Sequence, residues 1–338
     1  MLLTGDIGGT KTILALYEER SNPTAPLCEQ TYPSGSYDSL EAVIREFLHS
    51  QRAGKPRVQR AVFGVAGPVV AGRATLPNLP WVIEETELKR EFGFQRVAMI
   101  NDLEAIGHAV PVLADHDLKR IKQGKAEARG NIAVLAPGTG LGETFLSWNA
   151  GRYTVHPSEG GHGDFAPVND LQFGLLDYLL KRFDHVSYER VCSGMGIPNI
   201  YAYIRDRALA EEPAWLARKL AGAGDATSVI MSAAVEKGSD CRICSLTLET
   251  FVSILAAEAG NMVLRHMATG GLYLGGGIPP RILPFLRQPS FESWFVRKGR
   301  LSHLPEKVPV HVIMHPKAAL LGSASRGLQL AIEQAEEQ

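Results

Sequence analysis

Apolar residues recur along the chain in two rhythms. Short unbroken runs predict buried strands: Ala61-Val62-Phe63-Gly64-Val65-Ala66, Val97-Ala98-Met99-Ile100, Asn131 to Ala136, Leu272-Tyr273-Leu274 and Val308 to Met314. Wider spacing predicts helices. Leu40, Val43, Ile44, Phe47 and Leu48 form one stripe, introduced by Asp38-Ser39-Leu40-Glu41, which reads as a capping box. A second helix is expected around Leu175 to Phe183. The longest, Leu246 to Ala268, carries Leu248, Phe251, Val252, Leu255, Ala259, Met262 and Val263 on one side. Ala318 to Ala335 closes the chain as a last helix. Between these elements, residues 21–37 read as loop with at most one strand, and 211–245 as surface helices and loops. Lys119 to Arg129 reads as a basic linker, and Leu76 to Trp81 as a surface loop at a cleft rim. There Asn78 serves turn chemistry or touches a polar ligand. The pattern is α/β.

Three strands run into glycine turns. Gly5-Asp6-Ile7-Gly8-Gly9-Thr10-Lys11-Thr12 falls one residue short of a phosphate-binding P-loop, since Thr10 stands where its second glycine belongs. A strand-like Thr12-Ile13-Leu14-Ala15-Leu16-Tyr17 also follows where a helix is needed. The better reading is a turn between antiparallel strands. Gly8 and Gly9 let the backbone approach a phosphate closely, and Thr10 offers a hydroxyl. Asp6, just before the turn, is a hard oxygen ligand able to hold Mg²⁺ through water. Pro137-Gly138-Thr139-Gly140-Leu141-Gly142 repeats the strand, glycine turn and strand arrangement. It lacks the dinucleotide-binding GxGxxG spacing. Gly275-Gly276-Gly277 permits close approach of something flat or anionic, or simply a sharp turn.

Polar residues cluster at two further points. Asn101-Asp102 follows the 97–100 strand directly, at the carboxyl end where open α/β sheets bind ligands, although Asp102 is equally a helix N-cap. His156 to Phe165 packs charge, imidazole and glycine into ten residues and reads as a flexible loop, with Glu159 and His162 able to bond vicinal hydroxyls. His156, Glu159, His162 and Asp164 also admit a metal reading, although their spacing fits no zinc pattern. On spacing alone, Glu189 is a solvated helix charge.

Composition narrows these readings. With 338 residues, 45% of them apolar, the chain buries a substantial core, expected as two domains. A net charge of −1 with interspersed signs points away from nucleic acid and membrane surfaces. Apolar runs fall short of a membrane span and no basic-then-apolar segment opens the chain, so a cytoplasmic protein is expected. Of Cys28, Cys192, Cys241 and Cys244, only Cys241-Arg-Ile-Cys244 has ligand spacing, without a second pair. Ordinary reduced thiols are expected.

The motifs Gly5-Asp6-Ile7-Gly8-Gly9-Thr10, Asn101-Asp102, Gly138-Thr139-Gly140-Leu141-Gly142, Glu159-Gly160-Gly161-His162, Glu189-Arg190 and Gly275-Gly276-Gly277-Ile278 together resemble the bacterial ATP-dependent glucokinases, in order from residue 4 to about 325. The first motif is common to many sugar kinases, and the combination carries the specificity. The repressor and kinase family that shares the first loop differs, because its cysteine-rich zinc motif has no counterpart after His162. The resemblance implies a two-domain actin-like (ribonuclease H-like) ATPase fold. A small α/β domain of residues 1–110 plus 316–338 and a larger α+β domain of 111–315 would flank a cleft.

It further implies transfer of the γ-phosphate of ATP to the 6-hydroxyl of glucose, with Mg²⁺, at the start of glycolysis in a cytoplasmic homodimer. Asn101, Asp102, Glu159, His162 and Glu189 would hold glucose, with Asp102 as catalytic base. Gly8, Gly9, Thr10, Gly138, Thr139 and Gly140 would hold phosphates, and Gly275, Gly276 and Gly277 would line the adenosine. The alternatives are a kinase for another hexose or an N-acetylhexosamine, a catalytically silent sugar sensor, and an actin-like ATPase.

Overall fold

The structure, a computed structural model, describes residues 1–19, 21–51, 57–76, 79–236 and 240–336; Asn78 lies outside them. The chain divides into two compact units, residues 1–114 with 315–338, and residues 115–314.

In the first unit, eight strands form among the described residues: β1 (Leu2–Ile7), β2 (Lys11–Tyr17), β3 (Cys28–Pro33), β4 (Arg60–Val65), β5 (Val69–Val70), β6 (Arg73–Thr75), β7 (Val82–Glu84) and β8 (Arg96–Asn101). The main sheet has the order β3-β2-β1-β4-β8, with β1, β4 and β8 parallel. Successive side chains of a strand point to opposite faces, and here both faces are buried. Leu3, Leu14, Leu16, Phe63 and Met99 pack with Val43, Ile44 and Phe47 of the Leu40–Ser50 helix. Leu2, Ile13, Val62 and Ile100 pack with Leu320, Ala324 and Leu328 of the closing helix, Ala318–Glu336. Double burial explains why these strands read as continuous apolar runs.

Two local readings change. Ser39 caps the Leu40–Ser50 helix by accepting the Ala42 N–H at 3.3 Å. The third helical residue is then Ala42, so the reciprocal half of a capping box is missing. The 76–81 stretch is not all surface, because Trp81 is buried and donates its indole N–H to Tyr37 O at 3.1 Å.

The closing helix crosses the Asp102–Ala109 helix with backbones nearly touching. A Cβ on Gly322 would lie 1.6 Å from Ala105 O and 2.9 Å from Ala109 N. Gly322→Ala therefore forces the two helices apart, with an expected cost of roughly 1–3 kcal/mol or more. A denaturation midpoint equal to that of the parent chain would contradict this packing.

The second unit is built on β9 (Leu118–Lys122), β10 (Ile132–Pro137), β11 (Leu141–Asn149), β12 (Arg152–Ser158), β13 (Gly271–Leu274) and β14 (Val310–Ile313). They form one sheet in the order β12-β11-β10-β13-β14-β9. The expected basic linker supplies an edge strand instead: β9 pairs antiparallel with β14 and keeps Lys119 and Arg120 exposed. Charged edge strands are a common guard against sheet-to-sheet pairing.

Arg242–His266 is the central helix. It is buried nearly all round, not along one stripe, among the Gly196–Asp206, Ala226–Val235 and Pro289–Val296 helices. By length and composition this helix is apolar enough to cross a membrane, although polar residues interrupt its apolar runs. Here 83% of its most apolar window is buried within the fold. The 211–245 stretch likewise contributes Leu216, Ile230, Met231, Cys241 and Cys244 to the core.

Candidate active site

The first unit gathers polar groups at the carboxyl ends of its parallel strands. Asp6 stands opposite Gly64 of β4, and Val65 stands opposite Asn101 of β8. Gly8, Gly9 and Thr10 make the tight turn from β1 into β2, closed by Gly8 N–H donating to Lys11 O at 3.0 Å. Ser34 braces that turn: its hydroxyl donates to Gly8 O at 2.7 Å, and its N–H donates to Thr10 O at 3.0 Å. A strand follows the turn, so the P-loop reading is excluded on geometry as well as on sequence.

Asn101 ends β8 and caps the Asp102–Ala109 helix, its Oδ1 accepting the Leu103 N–H at 2.9 Å. Its Nδ2 donates to Gly67 O at 3.0 Å, tying it to the turn after β4. The cap position thus belongs to Asn101, and Asp102 is the first helical residue. Asp102 Oδ1 also accepts the Leu103 N–H, at 2.9 Å. A carboxylate there is favoured by the helix dipole and the first-turn N–H groups. Burial, followed by the Asp102 charge, pushes the Asp6 carboxyl up to about 6, while Lys11 opposes the shift. Two mutually repelling carboxylates at strand ends are a donor set that fits a divalent cation.

The second unit brings four sequence motifs together. The turn between β10 and β11 is closed by Gly138 N–H donating to Gly140 O at 2.9 Å. Gly194 N–H donates to Gly138 O at 2.8 Å and clamps it from outside. Among the described residues, no heavy atom beyond its chain neighbours lies within 4 Å of where a Cβ on Gly138 would sit, so that side is open. Gly276, at φ +80°, packs against β10: a Cβ there would lie 2.5 Å from Pro137 O. Gly275 N–H donates to Leu135 O at 3.0 Å, and Gly277 is open like Gly138. The two glycine turns are therefore neighbours.

Glu159 to His162 is less flexible than its composition suggested. His156 to Ser158 complete β12, and Gly160–His162 form a single 3₁₀ turn. Gly161 is buried, and its carbonyl accepts the Glu189 N–H at 2.9 Å. Glu189 lies in a turn, not on a solvated helix face, and its Oε2 accepts the Leu141 N–H at 2.9 Å. One residue so links the Gly161 turn to the strand leaving the phosphate-type turn. Glu159 and His162 are exposed, their side chains 3.9 Å apart.

The residues of the metal reading find other partners. His156 Nε2 shares a 2.7 Å hydrogen bond with Ser147 Oγ, and Asp164 pairs with His185 at 2.9 Å. Among the described residues, no group of three or more His, Cys, Asp or Glu could hold a metal. All four cysteines are free thiols.

Sequence reading missed Glu143, which is 2% exposed beneath Gly160, and the fully buried Glu258 on the central helix. The available signal was weak: a carboxylate among apolar neighbours, Glu143 in β11 and Glu258 within Leu255 to Val263 of the central helix. The Gly194 clamp on the second glycine turn left no such signal.

A family model described as Glucokinase matches residues 3–330. A glucokinase of Trichormus variabilis is 41% identical, with 96% of this chain and 98% of that one covered. The crystal structure of a glucokinase from an Antarctic psychrotroph superposes with a TM-score of 0.82 at 34% identity, covering 97% of this chain and 98% of that one. A ROK-family glucokinase from Streptomyces griseus, solved with glucose and AMPPNP, shares the fold with a TM-score of 0.61 at 22% identity, covering 97% and 99%.

Proposed function

The chain belongs to the glucokinase family, enzymes that phosphorylate glucose, and we propose that its donor is ATP, its acceptor the sugar 6-hydroxyl and its base Asp102. The fold is the two-domain actin-like ATPase fold of sugar kinases. The observation that carries the residue assignment is the convergence around Gly161: Glu189 bonds the Gly161 carbonyl through its backbone and the Leu141 N–H through its side chain. The loops proposed to face the sugar and the phosphates are thereby bonded to each other within the second unit. ATP as donor is supported by the AMPPNP held by the Streptomyces griseus relative in fold.

In this reading Asn101, Asp102, Glu159, His162 and Glu189 orient the hexose through its hydroxyls. The Gly8–Thr10 and Gly138–Gly140 turns hold the phosphates, with the N–H groups of Gly9, Thr10, Thr139 and Gly140 facing them while those of Gly8 and Gly138 close the turns, and Gly275–Gly277 line the adenosine. The sugar O6 attacks Pγ, the new O6–P bond forms as the bond from Pγ to the ADP oxygen breaks, and the O6 proton passes to the Asp102 carboxylate. Phosphoryl transfer asks mainly for positioning and charge neutralisation. Asp6 would hold nucleotide-bound Mg²⁺ through water, where the ion supplies charge neutralisation at the phosphates. The proposal extends to a cytoplasmic homodimer acting at the start of glycolysis, a setting that four free thiols fit.

A panel of hexoses with Mg·ATP tests the assignment, with the phosphate position on the product read by NMR. Glucose is expected to give the highest kcat/KM and a 6-phosphate. A higher kcat/KM on mannose, fructose or N-acetylglucosamine, or phosphate on another carbon, would overturn it.

A further inference from the structure

A charged cluster lies behind the Gly160–His162 turn, and the transfer chemistry above does not use it. Glu143 stands on β11 opposite Ser158 of β12, the residue before Glu159. Its carboxylate is packed against the backbone of Gly160, where a Cβ would come within 2.2 Å of Oε2 and 3.0 Å of Cδ. The other oxygen, Oε1, is buried without a hydrogen-bond partner among the described residues. From the central helix, Arg265 approaches Oε2 at 3.8 Å and also pairs with the buried Glu258 at 2.5 Å. Glu258 accepts from Asn261 at 2.9 Å, and Asn261 donates to the Tyr188 hydroxyl at 3.3 Å. The cluster touches the Gly160 turn directly and reaches the residue before Glu189 through its side chains.

Stability alone does not account for such an arrangement. Buried charges cost more to desolvate than well-packed hydrocarbon of the same volume, and an unmatched buried oxygen adds to that cost. What the carboxylate supplies in return is a fixed volume and charge beneath a glycine that has no side chain of its own.

We propose that Glu143 is a positioning residue for hexose binding: its carboxylate sets the Gly160 backbone and thereby the directions of Glu159 and His162. This rests on the assignment of Glu159 and His162 to the sugar. Burial, then the Glu258 charge, push the Glu143 carboxyl up to about 7, with Arg265 opposing. The Cys192 thiol also senses both carboxylates. Glu143 therefore changes charge near neutral pH, with Glu258, Arg265 and Cys192 as the groups that face it. Hexose affinity should follow that change.

The test is steady-state kinetics between pH 6 and 9 on Glu143→Ala, Glu143→Gln, Gly160→Ala and Glu159→Gln, with thermal melts on each. Glu143→Ala is expected to raise glucose KM about tenfold while kcat and ATP KM stay within about threefold. Glu143→Gln keeps the shape, so it should restore glucose KM at pH 6 and abolish its change through pH 7. Gly160→Ala should also raise glucose KM, and the Gly160→Ala/Glu143→Ala double variant should lose less than the two single losses combined, because the methyl then has room.

An unaltered glucose KM in folded Glu143→Ala, or equal rises in glucose and ATP KM, would overturn the proposal. If Glu143→Ala does not fold, a wild-type glucose KM in Gly160→Ala overturns it instead. Glu159→Gln separates the two levels. A lost glucose affinity there beside a silent Glu143 refutes the positioning role alone, whereas a wild-type Glu159→Gln refutes the sugar assignment beneath it.

Discussion

Asp102→Asn is expected to lower kcat by about 10²–10⁴-fold while leaving glucose KM within about threefold, the signature of a lost general base. Asparagine has the size of aspartate and keeps an Oδ1 acceptor for the Leu103 N–H, so the start of the Asp102–Ala109 helix is retained. Asn101 also holds that N–H, which makes the cap redundant and the substitution structurally mild. On the proposed role of Asp102, what disappears is the capacity to accept the O6 proton. Comparing kcat and KM with glucose at saturating ATP checks this. A rise in KM with unchanged kcat would assign Asp102 to sugar binding alone.

Gly161→Ala is expected to reduce kcat/KM for glucose by about 10²-fold or more, because small displacements of positioning groups are that costly. A Cβ at 161 would lie 2.1 Å from Leu141 O and 3.0 Å from Leu141 C. Unlike the end of a flexible side chain, this neighbour is backbone fixed in β11 by its pairing with Pro137. The turn itself must move, taking with it the carbonyl that accepts the Glu189 N–H. Glu159, His162 and Glu189 are then displaced together. Thermal melting of the variant separates this from unfolding, and a folded Gly161→Ala with parental kcat/KM would contradict the arrangement around Gly161.

Much of the fold was legible because one physical rule governs it. Ala61–Ala66, Val97–Ile100 and Ile132–Ala136 read as strands since each is covered on both faces or buried in a sheet centre, leaving no polar alternation to confuse the pattern. β9 was hidden for the opposite reason: an edge strand needs only one buried side, and Lys119 and Arg120 gave it the look of a linker. The central helix was legible from one apolar side, but its burial all round was not, because Thr247, Thr250, Ser253 and Glu258 interrupt the apolar pattern elsewhere. Thr247, Thr250 and Ser253 instead bond to backbone carbonyls of their own helix.

The candidate site residues stood out in the sequence where polar groups fell among glycines, as at 5–10 and 159–162, or directly at a strand end, as at 101–102. Glu189 came only from the family resemblance. Its partner, the Leu141 N–H, lies 48 residues away, and no local pattern marks such a bond. Glu143 was passed over because a single carboxylate in a strand is ordinarily solvated, and only the three-dimensional packing of Gly160 against it shows otherwise.

The most direct measurement is ADP release from Mg·ATP in a coupled assay, with and without glucose. Strong stimulation by glucose, with glucose 6-phosphate formed in a one-to-one ratio to ADP, is the expected result. ADP release that is independent of glucose, or glucose binding without ADP release, would contradict the central claim that this chain carries the phosphoryl group of ATP to glucose.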